Sequence, residues 1–128
     1  AKSYKMVLLL AMLERGPSEW MKSITATEAA PFFHRYLTEK EYRKRIDFSD
    51  KTTRALWKYD ETKVASLIER MPMTKWSGSS KGLIGLSDGV INLNLGMNND
   101  TQMLVYVFTR QICEYRLHVY FERKDLKA

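Results

Sequence analysis

Cysteine and histidine are both scarce in this sequence. Cys113 is the only cysteine among 128 residues, so the chain cannot form an internal disulfide bond, and a reducing, cytoplasmic location is favoured. The two histidines, His34 and His118, fall on different predicted helices. Without HExxH or CxxC spacing, these residues do not make the ligand set of a zinc site. The sequence therefore predicts neither a disulfide scaffold nor a metal centre.

Motifs of catalytic sites are missing as well. Neither GxxxxGK[ST] nor GxGxxG occurs, and the glycine-rich stretch 78–82 lacks the GKS or GKT of a phosphate-binding loop. Cys113 and His118 would point about 140° apart around one helix, and a core cysteine is usually unreactive. Glu114 and Glu122 lie among basic residues, where ion pairing is the simpler role. We expect no enzyme activity, no cofactor and no small-molecule substrate.

The chain also lacks a hydrophobic run long enough to cross a membrane. The apolar run 6–13 has eight residues, whereas a spanning helix needs about 20, and no small-residue cleavage site follows it. We interpret it as part of a buried helix over 2–15 that Gly16-Pro17 ends. With 45% hydrophobic and 28% charged residues, the composition is that of an ordinary globular domain. We expect one domain, 1–128, cut from a larger protein.

Further helices are predicted from caps and periodicity. Residues 20–24 suggest a short extended segment, and 25–28 have capping-box spacing before a helix that runs to Leu37. Because Pro31 disfavours a helix interior, we expect Thr27 to be the cap and Pro31 to lie in the first turn. Residues 38–58 are polar, and the choice between helix and loop stays open there.

The second half predicts a helix, a loop, a hairpin and a long helix. Asp60 is expected to cap a helix that Pro72 closes, before a small-residue loop over 75–82. Apolar runs flank the turn 87–89, which is a hairpin signal, and Ile91, Leu93 and Leu95 alternate with polar residues, so that one face is buried. Residues 98–100 then cap a helix that runs to about Lys124. The predicted class is mainly α with a β-hairpin (α+β), a winged-helix-like helical core plus a long C-terminal helix.

Positive charge is what the sequence has in excess. Its 21 lysines and arginines exceed 15 aspartates and glutamates, for a net charge of +6, and such domains are biased toward polyanions. The first cluster occupies the polar middle of the chain, where Trp57 and Tyr59 are available to stack on bases. A solvated surface is the alternative reading. This cluster comprises Lys40, Arg43, Lys44, Arg45, Lys51, Arg54 and Lys58.

Two more groups extend the candidate interface. Lys75 and Lys81 flank the small-residue loop, whose backbone N–H groups could approach a phosphate. Trp76 in this loop is either exposed for stacking or buried, and we favour burial. On the last helix, Arg116 and Arg123 share a face beside Arg110 and Lys124. Tyr120 and Phe121, in an almost entirely apolar stretch, are predicted as an interaction surface.

Three stretches resemble an accessory domain of bacterial superfamily II DNA helicases of the restriction and phage-defence type. They are 3–10 (SYKMVLLL), 71–76 (MPMTKW) and 115–123 (YRLHVYFER). In those proteins the domain usually lies C-terminal to the motor, so the resemblance implies that the ATPase residues lie outside this sequence. More distantly, the opening is similar to domains that read sulfur-modified DNA backbones. The resemblance assigns no role to an individual residue.

The sequence thus leads to two hypotheses. The first is a non-catalytic nucleic-acid-binding accessory domain of a helicase or restriction-type protein that contacts DNA phosphates through basic patches. The second is a protein-interaction or scaffolding domain that docks onto the motor or a partner subunit through Tyr120 and Phe121. A small hydrolase is the least supported hypothesis, because the sequence lacks the residues of a catalytic site.

Overall fold

The first helix forms the centre of the core. The structure is a computed structural model that describes residues 2–87, 89–93 and 96–127. Helix α1 (Tyr4–Leu13) has Val7 and Leu13 fully buried, as its apolar character on nearly every face predicts. Gly16 follows with φ of 92°, a left-handed value that glycine adopts without a steric penalty. The predicted helix and its end are both confirmed.

The segment after α1 is mostly a turn and contains only a short strand. Strand β1 contains only Ile24–Thr25, so the extended prediction for 20–24 is wrong over most of its length. The N–H of buried Trp20 bonds to the carbonyl of Gly16 at 2.9 Å, and the Arg15 guanidinium donates to three carbonyls between residues 20 and 23. Burying the indole and satisfying these carbonyls requires a turn at this point.

Helix α2 (Ala26–Thr38) is capped by Thr25 and not by Thr27. The Thr25 hydroxyl accepts from the N–H of Glu28 at 3.0 Å, and the Glu28 carboxylate accepts from the N–H of Thr25 at 2.9 Å. Pro31 therefore lies inside the helix, where it removes one backbone hydrogen bond. The reciprocal cap bonds and the complete burial of Phe33 outweigh that loss.

The polar middle is helical, which decides the choice left open by the sequence. Helix α3 (Glu41–Asp47) is followed by the short helix α4 (Lys51–Arg54) and a 3₁₀ turn (Ala55–Trp57). Asp50 caps α4, with its carboxylate accepting from the N–H of Thr53 at 2.9 Å. Phe48 and Leu56 are buried, and they hold this charged segment to the core.

Pro72 does not end its helix. Helix α5 (Glu61–Ile68) is capped by Asp60 as predicted, with the carboxylate accepting from Lys63 N–H at 3.0 Å. A wider π-helical turn (Glu69–Met73) then leads into helix α6 (Thr74–Ser79). Because Pro72 and Met73 are buried, the wide turn keeps both in the core while it tolerates the missing N–H. The loop predicted over 75–82 is thus helical up to Ser79.

A small sheet follows. Strands β2 (Ile84–Ser87) and β3 (Val90–Leu93) form the predicted antiparallel hairpin, and β1 pairs with β3, for the order β1-β3-β2. Ile91 is buried and lies opposite both Ile24 and Leu86, whereas Asn92 is exposed. The predictions for Asp88, Asn94 and Leu95 concern positions outside the described residues.

The chain continues with the long helix α7 (Asn99–Lys127). The Asn98 side chain accepts from the N–H of Thr101 at 2.8 Å, as its capping position predicts. Cys113, Leu117 and Phe121 are buried, and α7 packs against α1 and α3. The fold is mostly helical with a three-stranded antiparallel sheet, an α+β class. Within the described residues, no helix combines the length and apolar character that membrane crossing requires.

Candidate nucleic-acid interface

A buried carboxylate organises the ends of three helices. Asp47, at the end of α3, is fully buried and accepts hydrogen bonds from the N–H and hydroxyl of Ser3, the N–H at 3.1 Å. Its own carbonyl accepts from the hydroxyl of Tyr4 at 2.6 Å. On α7, the hydroxyl of Tyr120 also donates to Asp47. The start of α1, the end of α3 and the last turns of α7 are therefore fixed together.

The middle of the first basic cluster is neutralised by acids. Arg43 pairs with Glu39 at 2.8 Å and donates to the carbonyl of Tyr36 at 3.0 Å, and its guanidinium lies 3.9 Å from the centre of the Tyr36 ring. Its side chain is only 14% exposed. Burial of the phenol raises the pKa of Tyr36 to about 12. Arg43 is thus a packing residue more than a free surface cation.

Its two neighbours are engaged in the same way. Lys44 pairs with Glu41 at 2.9 Å and lies 4.5 Å from the centre of the Trp57 ring. Arg45 pairs with Asp125 of α7 at 3.0 Å. All three cations are paired with acids, and the side chains of Arg43 and Lys44 are largely buried. Neither direct phosphate contact nor a fully solvated surface describes these residues well.

The aromatic residues of this cluster are held in place. Trp57 is 45% exposed, but its indole N–H donates to the carbonyl of Phe48 at 2.8 Å and Lys44 covers its ring. Tyr59 packs edge-on against His34 with ring centres 5.0 Å apart. Within the described part of the chain, four predicted cations of the cluster form no ion pair: Lys40, Lys51, Arg54 and Lys58.

A basic groove lies between α7 and the start of α1. Its volume is about 630 Å³. Its apolar walls include Met6, Tyr115 and Val119, and none of the acidic side chains that the structure describes lines it. Four cations do: Lys2, Arg116, Arg123 and Lys124.

Lys2 connects this groove with the second predicted group. Its ammonium donates to the carbonyl of Ile46 and to the Ser49 hydroxyl, both at 3.1 Å. A small pocket of about 100 Å³ next to it is lined by Lys2, Lys5 and Lys75, again without an acid. We call the surface formed by both pockets the α1–α7 basic face, and its cations are Lys2, Lys5, Lys75, Arg116, Arg123 and Lys124.

Some residues of the other predicted basic groups lie at the edge of this face. The Arg54 side chain donates to the carbonyl of Ser49 at 3.0 Å, and Lys2 donates to the hydroxyl of the same residue. Trp76 is half-buried, with its N–H on the carbonyl of Lys5 at 3.2 Å, which agrees in part with the burial that we favoured. Lys81 is exposed but lines neither pocket.

The opposite side of α7 has mixed charge. A groove of about 560 Å³ between α7 and α2–α3 is lined by five acids together with Arg35, Arg43 and Arg110. Arg110 alone contacts two of these acids, Glu114 at 2.8 Å and Glu14 at 3.2 Å. Of the two grooves beside α7, the one on the α1–α7 basic face therefore has the larger excess of cations over acids among its described lining residues. The acids are Glu14, Glu39, Glu114, Glu122 and Asp125.

Comparisons with protein-family models, with curated proteins and with solved structures found no match to this chain. The resemblance to helicase accessory domains rests on the three sequence stretches alone.

The predicted interaction surface at Tyr120 and Phe121 is corrected by the structure. Phe121 is 3% exposed and packs edge-on against Tyr42 and Tyr120, with ring centres 5.8 and 4.9 Å apart. Tyr120 is half-buried and bonded to Asp47. Phe121 faces the core and is not available to a partner, whereas Tyr120 is held by Asp47 at the wall of the basic groove.

The Cys113 thiol and His118 do not meet. Cys113 is completely buried, with its thiol 3.2 Å from the carbonyl of Met6, and burial raises its pKa to about 12. The His118 ring points to solvent and lies 2.9 Å from Glu122. Among the described residues, no three His, Cys, Asp or Glu side chains are grouped to hold a metal ion.

Sequence reasoning missed Lys2, Lys5 and Asp47. Nothing in the sequence separates Asp47 from the exposed acids around it, because its burial depends on contacts more than 40 residues away. The pairing of Arg43 and Lys44 had a readable signal, since Glu39 and Glu41 stand four and three residues before them.

Proposed function

We propose that this domain is a non-catalytic nucleic-acid-binding accessory module that contacts DNA phosphates through the α1–α7 basic face. One observation carries the proposal: six lysines and arginines from the start of the chain, α1, α6 and α7 line two adjoining pockets, and no acid among the described residues lines either pocket. Each cation that neutralises a phosphate releases condensed counterions, which drives association with a polyanion. In the first cluster, by contrast, three cations are already paired with acids.

The side chains of the face suit backbone contact better than base reading. Lysines act as mobile point charges on phosphates, whereas Arg116 and Arg123 can bind phosphate oxygens in a bidentate manner. We therefore assign the face to binding with little sequence preference.

The order of the helices and strands supports the winged-helix-like core that the sequence predicts. Helices α1, α2 and α5–α6, with the β2–β3 hairpin and β1, give three helices beside a small sheet, and α3–α4 form an insertion before the third helix. In helix-turn-helix proteins the second helix of the motif enters the major groove. Here the surface between α5 and the hairpin carries Glu61, Glu69 and Arg70, a charge balance that favours the basic face for DNA contact.

The parent protein and its location are part of the proposal. The helicase resemblance supports a role beside a motor of the restriction or phage-defence type, in the cytoplasm, with DNA and the rest of that protein as partners. In such a setting an accessory domain adds affinity for the duplex or for a displaced single strand, while the motor performs the chemistry.

A fluorescence anisotropy titration tests the proposal. Labelled single- and double-stranded DNA are titrated with the chain at several salt concentrations. We expect binding that weakens steeply with salt, with each lost phosphate contact lowering the duplex slope by about 0.9. The double variant Arg123→Glu, Lys124→Glu should bind many-fold more weakly.

A matched variant controls for net charge. Lys22→Glu with Lys63→Glu changes the charge equally, at exposed positions outside the face. Equal weakening in both variants would show that overall charge, and not this face, governs binding. An affinity that hardly responds to salt would remove phosphate contact as the explanation.

A further inference from the structure

The first half of α7 exposes a band of large apolar side chains. Six of them are 43–68% exposed. Leu104 lies nine residues before buried Cys113, which places the two about 180° apart around the helix axis. The band is therefore on the face of α7 that points away from its own core. We call it the α7 apolar patch, and it consists of Met103, Leu104, Val107, Phe108, Ile112 and Tyr115.

Most of the exposed large apolar side chains of the described residues belong to this patch. The others, such as Trp57, Leu83 and Leu126, are scattered singly. Single exposed apolar residues are normal, whereas a contiguous band on a soluble domain marks an interaction surface.

We propose that the α7 apolar patch is the interface for a second copy of this chain, packed antiparallel across a two-fold axis at Phe108. The exposed apolar area of the patch is large enough for a dimer interface. Aromatic side chains bury about 150–250 Å² each, so six large side chains that are about half exposed supply roughly 500 Å² per chain. Two copies together reach roughly 1,000 Å², the lower bound for a specific protein interface.

Charge decides the direction. Asp100 and Arg116 stand eight residues before and after Phe108, and both are exposed. Neither makes an ion pair within the described part of the chain. In an antiparallel pair, Asp100 of one copy approaches Arg116 of the other, twice by symmetry. In the dimer Arg116 belongs to this interface, and the other five cations of the basic face remain for phosphate contact. A parallel pair would bring like charges together.

Helix geometry fits the same register. Residues 100, 104, 108, 112 and 116 form one ridge of four-residue spacing, and such ridges pack into each other at a crossing angle near −50°. Around Phe108, Leu104 then lies opposite Ile112 of the second copy. The patch is thus self-complementary in shape, apolar character and charge, as an interface between identical chains must be.

Sedimentation velocity on the full chain tests the inference. Over roughly 1–100 μM, which spans the range of weak protein association, we expect a concentration-dependent monomer–dimer equilibrium. Leu104→Glu should leave a monomer throughout this range. Leu83→Glu is the matched control, because Leu83 is exposed to a similar extent (53% against 57%) but lies outside the patch, and it should dimerise like the unaltered chain.

A charge swap tests the antiparallel register. Asp100→Lys and Arg116→Asp should each weaken the dimer roughly tenfold, and the double variant should restore it to within about threefold. A chain that stays monomeric at every concentration, or one that dimerises equally well with Leu104→Glu, would overturn the proposal and leave the patch to another protein. A dimer that the double swap does not restore would overturn the antiparallel pairing.

Discussion

The hydroxyl of Tyr120 on α7 donates a hydrogen bond to the buried carboxylate of Asp47 on α3, across 73 positions of sequence. The same carboxylate accepts the N–H and the hydroxyl of Ser3 at the start of α1. One acidic group therefore sets the spacing between the α1 end and the α7 side of the basic face. The position of these cations therefore depends on a residue that is itself fully buried.

Replacing Asp47 by alanine should destabilise the domain strongly. The change leaves two buried donors on Ser3 and one half-buried donor on Tyr120 without an acceptor, and a buried donor costs about 1–3 kcal/mol when unsatisfied. We expect a loss of about 3 kcal/mol or more in the free energy of unfolding, measured by urea denaturation. Tyr120→Phe removes a single donor and should cost about 1 kcal/mol. Equal, small losses in both variants would contradict the organising role of Asp47.

Local signals in the sequence predicted local structure well. The caps at Asp60 and Asn98, the glycine after α1 and the β2–β3 hairpin all follow from short-range chemistry, and the structure confirms them. The errors arose where tertiary contacts override such signals. Burial of Met73 carries the helix past its proline, and β1 exists only because β3 lies beside it.

The candidate site was predictable only in part. The sequence identified Lys75, Arg116 and Arg123 as cations. The two arginines line one pocket and Lys75 lines the adjoining one, with Lys2 common to both. The sequence could not show that Lys2 joins them, because that position depends on contacts with residues 46 and 49. Nor could it show that Arg45 meets Asp125, 80 positions away.

Charge reversal should separate the two basic surfaces. Arg45→Glu removes a cation already paired with Asp125, so we expect its DNA affinity to fall much less than that of Arg123→Glu, which removes an unpaired cation of the groove. Both variants change the net charge equally, and anisotropy at one fixed salt concentration compares them. The opposite ranking would return the interface to the first cluster.

The cap of α2 gives a local test of the corrected boundary. Thr25→Ala removes the side-chain oxygen that accepts the N–H of Glu28, and the loss of such a cap costs about 1 kcal/mol. Thr27→Ala, in the exposed first turn, should change stability by less than about 0.5 kcal/mol. Thermal or urea unfolding of both variants makes the comparison. A larger effect at Thr27 would mean that the helix begins later than the structure shows.

Alkaline pH should unfold the domain through groups that burial keeps neutral. Burial raises the pKa of Cys113 from 9.0 to about 12 and that of Tyr36 from 10.0 to about 12, and it also raises the pKa values of Tyr4 and Tyr120. Above pH 9 the unfolded chain releases these protons while the folded chain retains them, so the unfolded state binds fewer protons and the free energy of unfolding falls as pH rises.

The loss should begin near pH 9 and steepen up to about pH 12, the window between the unfolded and folded pKa values of Cys113 and Tyr36. Urea unfolding at a series of pH values measures it. Tyr36→Phe removes one of the titrating groups and should make the decline shallower above pH 10.

The Cys113 thiol should also resist a thiol-specific reagent at pH 8 until denaturant is added, because a buried neutral thiol is a poor nucleophile. Rapid labelling of the folded chain would show that α1 and α7 separate readily and that the groove between them is not a fixed surface.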